Sequence, residues 1–331
     1  MSDPTNYIRR PANRADWLLA RARFVGQSEA ATVLGLSPWQ TRVELFLKKT
    51  GRAQIGRLDD EPTEAMRLGT YLEQYAADRY AEKTGALVRN YGYMVTRGHA
   101  LADVDRLVAP PGAKVASHHQ EIRAAGILEC KTARDDWDGE VPLHYQVQAQ
   151  GYMELLDLPW CDFSVVFKAS SRHLCPVDAP WLRIERDRAV GAKIMQEIEA
   201  FWRFVEEDDL PPATCLADAA ALFPNAHVDT AVAATTEIAE IVDRLRLIKG
   251  QLDELSTEED ALRGRVASFM GVADTLLDKY GAKLCTYRNT KPRVITDWKA
   301  VAEELKADEK IVAAHTKEGA ATRRFVLCKT K

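Results

Sequence analysis

The sequence predicts an α/β protein in which a mixed β-sheet is flanked by helices. Three observations carry that class: a helix-rich first stretch, a run of short extended segments between residues 91 and 133, and a return to helix and then strand between residues 142 and 170. Taken in order, "DWLLARARFVGQSEAATVLGLSPWQTRVELFLKKTG" reads as one helix, a second short helix ending at Gly35, and a third from about Thr41. Ser28 suits the N-cap of the second helix and Gly35 its C-terminus. "EPTEAMRLGTYLEQYAADRYAEKTG" predicts a longer helix, because Met66, Tyr71, Leu72, Tyr75, Ala76 and Tyr80 recur at helical spacing. Extended segments follow at "YGYMV", "ALADVDRLVA", "KVASHHQEI" and "GILECKT". "PLHYQVQAQGYMELLDL" returns to helix and "CDFSVVFKAS" to strand.

At 331 residues the chain exceeds one average domain, so a main domain with an appendage is expected. The absence of an 18-residue apolar run predicts no membrane span, and "MSDPTNYIRR" lacks the apolar core of a signal peptide. Six scattered cysteines (130, 161, 175, 215, 285 and 328) form no C-x-x-C pair, which excludes a compact zinc or iron–sulfur clip and suits reduced cytoplasmic thiols. A net charge of −4 argues against a broadly basic nucleic-acid coat. Residues 1–59, however, hold ten Lys/Arg against five Asp/Glu, a balance of +5 that leaves −9 for the remainder. A local basic channel beside an acidic pocket fits that distribution, with divalent cations offsetting the carboxylates.

The acidic residues are organised on the predicted strands. "GILECKTA" places Glu129 and Lys131 on one strand face and Cys130 on the other. A salt-bridged edge strand is the bland reading of that triplet. "LADVDRLV" reads as a strand with Leu101, Asp103, Asp105 and Leu107 on one face. Carboxylates among aliphatic strand residues are costly unless paired or metal-bound. An Asp beside Glu-x-Lys is the set that holds Mg²⁺ over a phosphodiester: the hard cation takes carboxylate oxygens, acidifies water and neutralises phosphate charge, while the lysine orients the water. His118, His119 and His144 lack H-x-x-x-H spacing and read as surface or DNA-facing residues, and Trp39 after Ser-Pro reads as a packing anchor.

Five ordered segments resemble the phage lambda exonuclease/YqaJ family of viral recombinases, which has the PD-(D/E)xK nuclease fold: "GQSEAATVLGLSPW", "EAMRLGTYLEQ", "DRLV", "LECKT" and "YQVQAQGYMELL". The resemblance covers roughly residues 20 to 210. It implies that Asp105 and Glu129 ligate Mg²⁺ (with Mn²⁺ able to substitute), with the Cys130 carbonyl as a further ligand and Glu73 reaching the metal directly or through water. Lys131 then positions the attacking water. Gln148 and Tyr152 match the Q-x-x-x-Y motif of RecB-like nucleases, with Gln146 a weaker candidate. Arg21 and Ser28, seven apart, match the family's 5′-phosphate-binding pair, an arrangement with the chemistry of an anion site. Asp103 rivals Asp105 as the ligand, and Arg106 stands where the family has glycine.

The expected division is a nuclease domain over 1–210, a linker and long heptad-patterned helix over 211–279, and a strand–helix–strand tail over 280–331. "RDRAVGAKIMQEIEAFWRFVEEDDLPPA" predicts a helix stopped by Pro211-Pro212. Ile238, Ile241, Leu245, Ile248, Leu252, Leu255, Leu262, Val266, Phe269 and Leu276 follow heptad spacing, broken at Glu259 and Ala273. Three functions follow. The first, implied by the family, is a 5′→3′ exonuclease on double-stranded DNA ends. It would release 5′-mononucleotides, assemble as a homo-oligomer (a trimeric ring), and work beside a single-strand annealing recombinase in the cytoplasm, that of the host cell for a phage-encoded chain. The second is an endonuclease or repair nuclease of the same fold, and the third a non-catalytic module that binds DNA ends.

Overall fold

A computed structural model of the chain describes residues 4–52, 64–109, 124–133, 137–167, 181–227, 230–290, 298–306 and 308–316. They form two compact units, Met1–Phe223 and Pro224–Lys331. The first unit runs β1 (Asn6–Arg9), α1 (Arg14–Ala22), β2 (Val25–Gly26), α2 (Gln27–Val33), α3 (Arg42–Lys49), α4 (Glu64–Thr84), β3 (Leu87–Arg89), β4 (Tyr93–Arg97), β5 (Ala100–Ala102), β6 (Arg106–Ala109), β7 (Gly126–Ala133), α5 (Leu143–Leu156), β8 (Trp160–Phe167), β9 (Leu182–Glu185), α6 (Arg188–Glu207) and α7 (Leu216–Leu222).

Its main sheet has the order β3-β6-β7-β8-β9. β6 and β7 are antiparallel, whereas β7 and β8 are parallel. Parallel neighbours need a crossover, and α5 supplies it. β7 therefore lies mid-sheet, held on both edges, with a helix on each face. Ile127 joins Val147, Ala149 and Met153 of α5 in the larger core cluster, while Leu128 and Cys130 pack with Ala76, Ala77 and Tyr80 of α4. Gly126 opens β7 because a Cβ there would stand 2.3 Å from the Trp160 ring. The mixed sheet flanked by helices is the expected fold class.

Several local expectations change. "LADVDRLV" is not one strand: β5 and β6 lie in different sheets, and residues 103–105 link them. Long-range contacts hold Asp103 in that link, with Trp17 Nε1 donating to Oδ2 at 2.7 Å and Arg10 ion-paired to the carboxylate. The second sheet, β1-β4-β5-β2, has edge strands too short to show periodicity in sequence. Ser28 is not an N-cap. Gly26 holds that position and its N–H donates to Glu29 Oε2 at 3.1 Å, so α2 begins two residues earlier than expected and the Ser28 hydroxyl is released. Residues 211–223, expected in the linker, belong with the first unit. There Thr41 Oγ1 donates to the buried carboxylate of Asp218 at 2.5 Å, tying α7 to α3. The expected strand at "KVASHHQEI" lies outside the described residues.

The second unit holds α8 (Thr236–Met270), the antiparallel pair β10 (Thr275–Leu277) and β11 (Lys283–Thr286), α9 (Trp298–Glu304) and α10 (Glu309–His315). α8 carries the heptad stripe from Ile238 to Phe269 and stops at Gly271, whose φ of 54° is a left-handed backbone state. Leu276 thus leaves the stripe and lies in β10. In the tail, two helices follow β11, and the expected last strand lies outside the described residues.

Candidate active site

Side-chain alternation on β7 turns Glu129 and Lys131 toward α5, where helical spacing of four brings Gln148 and Tyr152 onto one face. Glu129 is only 2% exposed. Its Oε1 accepts from Lys131 Nζ at 2.6 Å and from Gln148 Nε2 at 2.8 Å. Its Oε2 is buried and has no hydrogen-bond partner among the described residues. Gln148 Nε2 also donates to Tyr152 Oη at 2.9 Å, and that hydroxyl donates to the Asp103 carbonyl at 3.1 Å. Asp105 reaches β7 from the β5–β6 link, with Oδ2 accepting from the Cys130 N–H at 2.9 Å. The structure thus gathers Asp105, Glu129, Lys131, Gln148 and Tyr152 at one place.

The electrostatics there are unbalanced toward the negative. Burial raises the Asp105 carboxyl to about 8, and the charges of Glu129 and Glu73 add to that, against Lys131 and the Cys130 N–H. Lys131 moves upward: burial alone would lower it, but the Glu129 and Asp105 carboxylates outweigh burial and keep the ammonium charged. Tyr152 is held neutral by burial and then by the same two carboxylates. The Cys130 thiol, on the far face of the strand, is likewise raised by burial and Asp105. Burial and the Lys131 charge lower His144.

The two candidate aspartates separate. Asp103 turns to Arg10 and Trp17, and Asp105 faces Glu129's strand. Arg21 lies over the Trp17 ring at 4.6 Å and donates to Ser28 Oγ at 3.0 Å, so the two residues meet at the start of α2. Contacts then run without a break from Arg21 through Trp17, Asp103, Tyr152 and Gln148 to Glu129. Glu73 stands slightly apart, because Arg106, the residue at the family's glycine position, binds it at 2.6 Å and also donates to the Asp105 carbonyl at 2.8 Å. Gln146 is not in the site. It points about 200° around the helix from Gln148, and its Nε2 donates to the Val141 carbonyl at 2.7 Å.

Sequence reasoning missed Arg10, Trp17 and Tyr145. The Tyr145 ring lies 4.8 Å beneath Lys131 Nζ, and its place three residues before Gln148 was the available signal. His144 stacks obliquely on Tyr145 at 4.1 Å, while His118 and His119 lie outside the described residues. Trp39 is not a packing anchor: it is 79% exposed, beyond a loop that Ser37 Oγ braces by accepting from the Trp39 and Gln40 N–H groups.

Among the described residues no three His, Cys, Asp or Glu side chains gather into a metal-holding group. The pair Asp105 and Glu129 nevertheless suits a hard divalent cation. One buried carboxylate oxygen is unpartnered and the neighbouring carboxyl is driven toward its protonated form, which are the strains that a cation relieves.

A mixed sheet carrying an aspartate just ahead of a central Glu-x-Lys strand defines the PD-(D/E)xK class. Residues 16–157 match the YqaJ-like viral recombinase domain. The chain is also 27% identical over 277 residues to the uncharacterized protein YqaJ of Bacillus subtilis (strain 168), covering 79% of this chain and 80% of that protein. Among solved structures, the alkaline exonuclease LHK-Exo from Laribacter hongkongensis is 26% identical, covering 59% of this chain and 93% of its own, with a TM-score of 0.44. A phage-related exonuclease from Haemophilus somnus 129PT is 15% identical over 56% of this chain and 94% of its own, with a TM-score of 0.37. No described helix is long and apolar enough to cross a membrane.

Proposed function

We propose that the chain is a metal-dependent deoxyribonuclease that digests double-stranded DNA from 5′ ends, leaving 3′ single strands and releasing 5′-mononucleotides. The observation that carries this reading is the pair of half-buried Asp105 and buried Glu129, short of positive charge beside a protonated Lys131. Asp105, Glu129 and the Cys130 carbonyl would hold Mg²⁺ or Mn²⁺, which supplies charge against the scissile phosphate and acidifies water in its shell. Lys131 donates hydrogen bonds to the attacking water and to the phosphate oxygens as charge builds. Gln148 fixes the Glu129 carboxylate, and Tyr152 fixes Gln148. Arg21 and Ser28 receive the 5′-phosphate, and this pair favours exonuclease over endonuclease action.

A ring-shaped homo-oligomer, a trimer, keeps such an enzyme on its duplex through a heterologous interface that closes. Its 3′ single strand is the substrate of a single-strand annealing recombinase, the expected partner. The test is to incubate linear, nicked and closed circular duplexes with Mg²⁺. The expected result is digestion of linear DNA from 5′-phosphorylated ends with closed circles intact. Cleavage of closed circles supports the endonuclease reading, and no cleavage of any substrate defeats both.

A further inference from the structure

Resting on the nuclease reading above, we propose that Trp39, with His144 behind it, is a stacking platform for nucleobases of the DNA end entering the site. Trp39 is 79% exposed, an unusual state for the largest apolar side chain. Its loop is pinned at both ends, which makes the exposure a fixed feature. Gly35 takes a φ of 70° to end α2, Ser37 Oγ braces the turn, and Thr41 caps α3 by accepting from the Glu44 N–H at 3.2 Å. The ring is presented at little entropic cost.

Trp39 is continuous with the catalytic cleft. It meets His144 edge-on at 6.5 Å and 89°, His144 lies 4.1 Å from Tyr145, and Tyr145 lies 4.8 Å under Lys131 Nζ. Nε2 of His144 is buried and has no hydrogen-bond partner among the described residues. Leu36 and Leu143, near Trp39 and His144 in the sequence, are exposed as well. An exposed indole offers each base a flat apolar partner without regard to sequence. The backbone is held at the charged end of this path and the bases at its aromatic end.

The test uses the full-length protein in Ca²⁺, which replaces Mg²⁺ for binding without turnover, and a 5′-phosphorylated duplex with a short single-stranded end. A second duplex has abasic sites at the three terminal positions of that end. Trp39→Ala should bind the natural end on the order of tenfold more weakly, with Trp39→Phe recovering most of the loss. The abasic duplex should weaken binding by the unaltered protein but leave Trp39→Ala unaffected, because both changes remove one contact. Equal binding by Trp39→Ala and the parent overturns the proposal, as does an abasic effect that persists in full in the variant. A change in subunit number on Trp39→Ala, read by light scattering, assigns the ring to a subunit contact and also overturns it. Digestion of linear DNA in Mg²⁺ is measured in parallel. A parent that digests DNA while Trp39→Ala binds normally loses only the stacking proposal, whereas a parent that neither binds nor cuts DNA loses both readings.

Discussion

Replacing Lys131 by methionine keeps most of the side-chain volume and removes the only cation in direct contact with Glu129 among the described residues. In the parent, Nζ lies 2.6 Å from Glu129 Oε1, with side-chain exposures of 19% and 3%. Removing one partner of such a pair costs about 3–5 kcal/mol, because the remaining charge stays buried. For a unit of this size that lowers Tm on the order of 10 °C. The cost depends on pH. Asp105 is raised from 3.8 to about 8, so the folded chain holds a proton that the unfolded chain releases. Its contribution to stability is complete below pH 4 and fades as pH climbs through 8. In the variant the carboxylate pair retains a proton to still higher pH, so the loss should be largest at pH 9 and smaller at pH 6. Divalent cation at a hundred times its Kd restores about 2.7 kcal/mol. Thermal melts at both pH values, with and without Ca²⁺, read these effects, and digestion of linear duplex in Mg²⁺ should fall by at least two orders of magnitude. A metal-free variant within about 1 kcal/mol of the parent at pH 9 refutes the electrostatic reasoning. Retained nuclease activity refutes the role given to Lys131, and a variant that unfolds or fails to bind cation returns the triplet to a structural salt bridge.

Asp105→Ala or Glu129→Ala should abolish cleavage while DNA binding in Ca²⁺ survives, and more than a few per cent residual activity in Glu129→Ala would sink the ligand assignment. Arg21→Ala should erase the difference in digestion rate between 5′-phosphate and 5′-hydroxyl ends, a difference that in the parent should shrink as salt rises. Gly151→Ala should lose about 1–3 kcal/mol by urea unfolding, since its Cβ would fall 1.7 Å from Oε1 of the buried Gln27. The displaced α5 should lower activity too, and an unchanged midpoint would show that the α2–α5 contact yields freely.

The candidate site was legible where local geometry alone sets it. Period-two alternation puts Glu129 and Lys131 together, and helical spacing of four aligns Gln148 with Tyr152. What was illegible depended on distant partners. Asp103 and Asp105 alternate like strand residues, and only Arg10 and Trp17, far back in the chain, break that strand and divide their roles. Ser28 looked like a cap because Ser often is one, yet Gly26 takes the cap position, its N–H donating to Glu29, and the hydroxyl is left for Arg21. Apolar character alone misplaced two residues. Trp39 reads as core until its braced loop is seen to hold it outward, and Leu276 continues a heptad rhythm that Gly271 has already ended.

The unbroken contacts from Arg21 to Glu129 pass through two side chains of α5, the β5–β6 link and Trp17 of α1, all packed within one unit. On the proposed function, a terminal phosphate seated at one end of that chain would be gauged against the cutting site at the other by a stiff spacer. Stride length then belongs to the scaffold, not to the speed of the chemistry. Loosening the spacer at Trp17 should blur the size of the released fragments, whereas loss of Lys131 slows every cut and leaves the fragment size untouched.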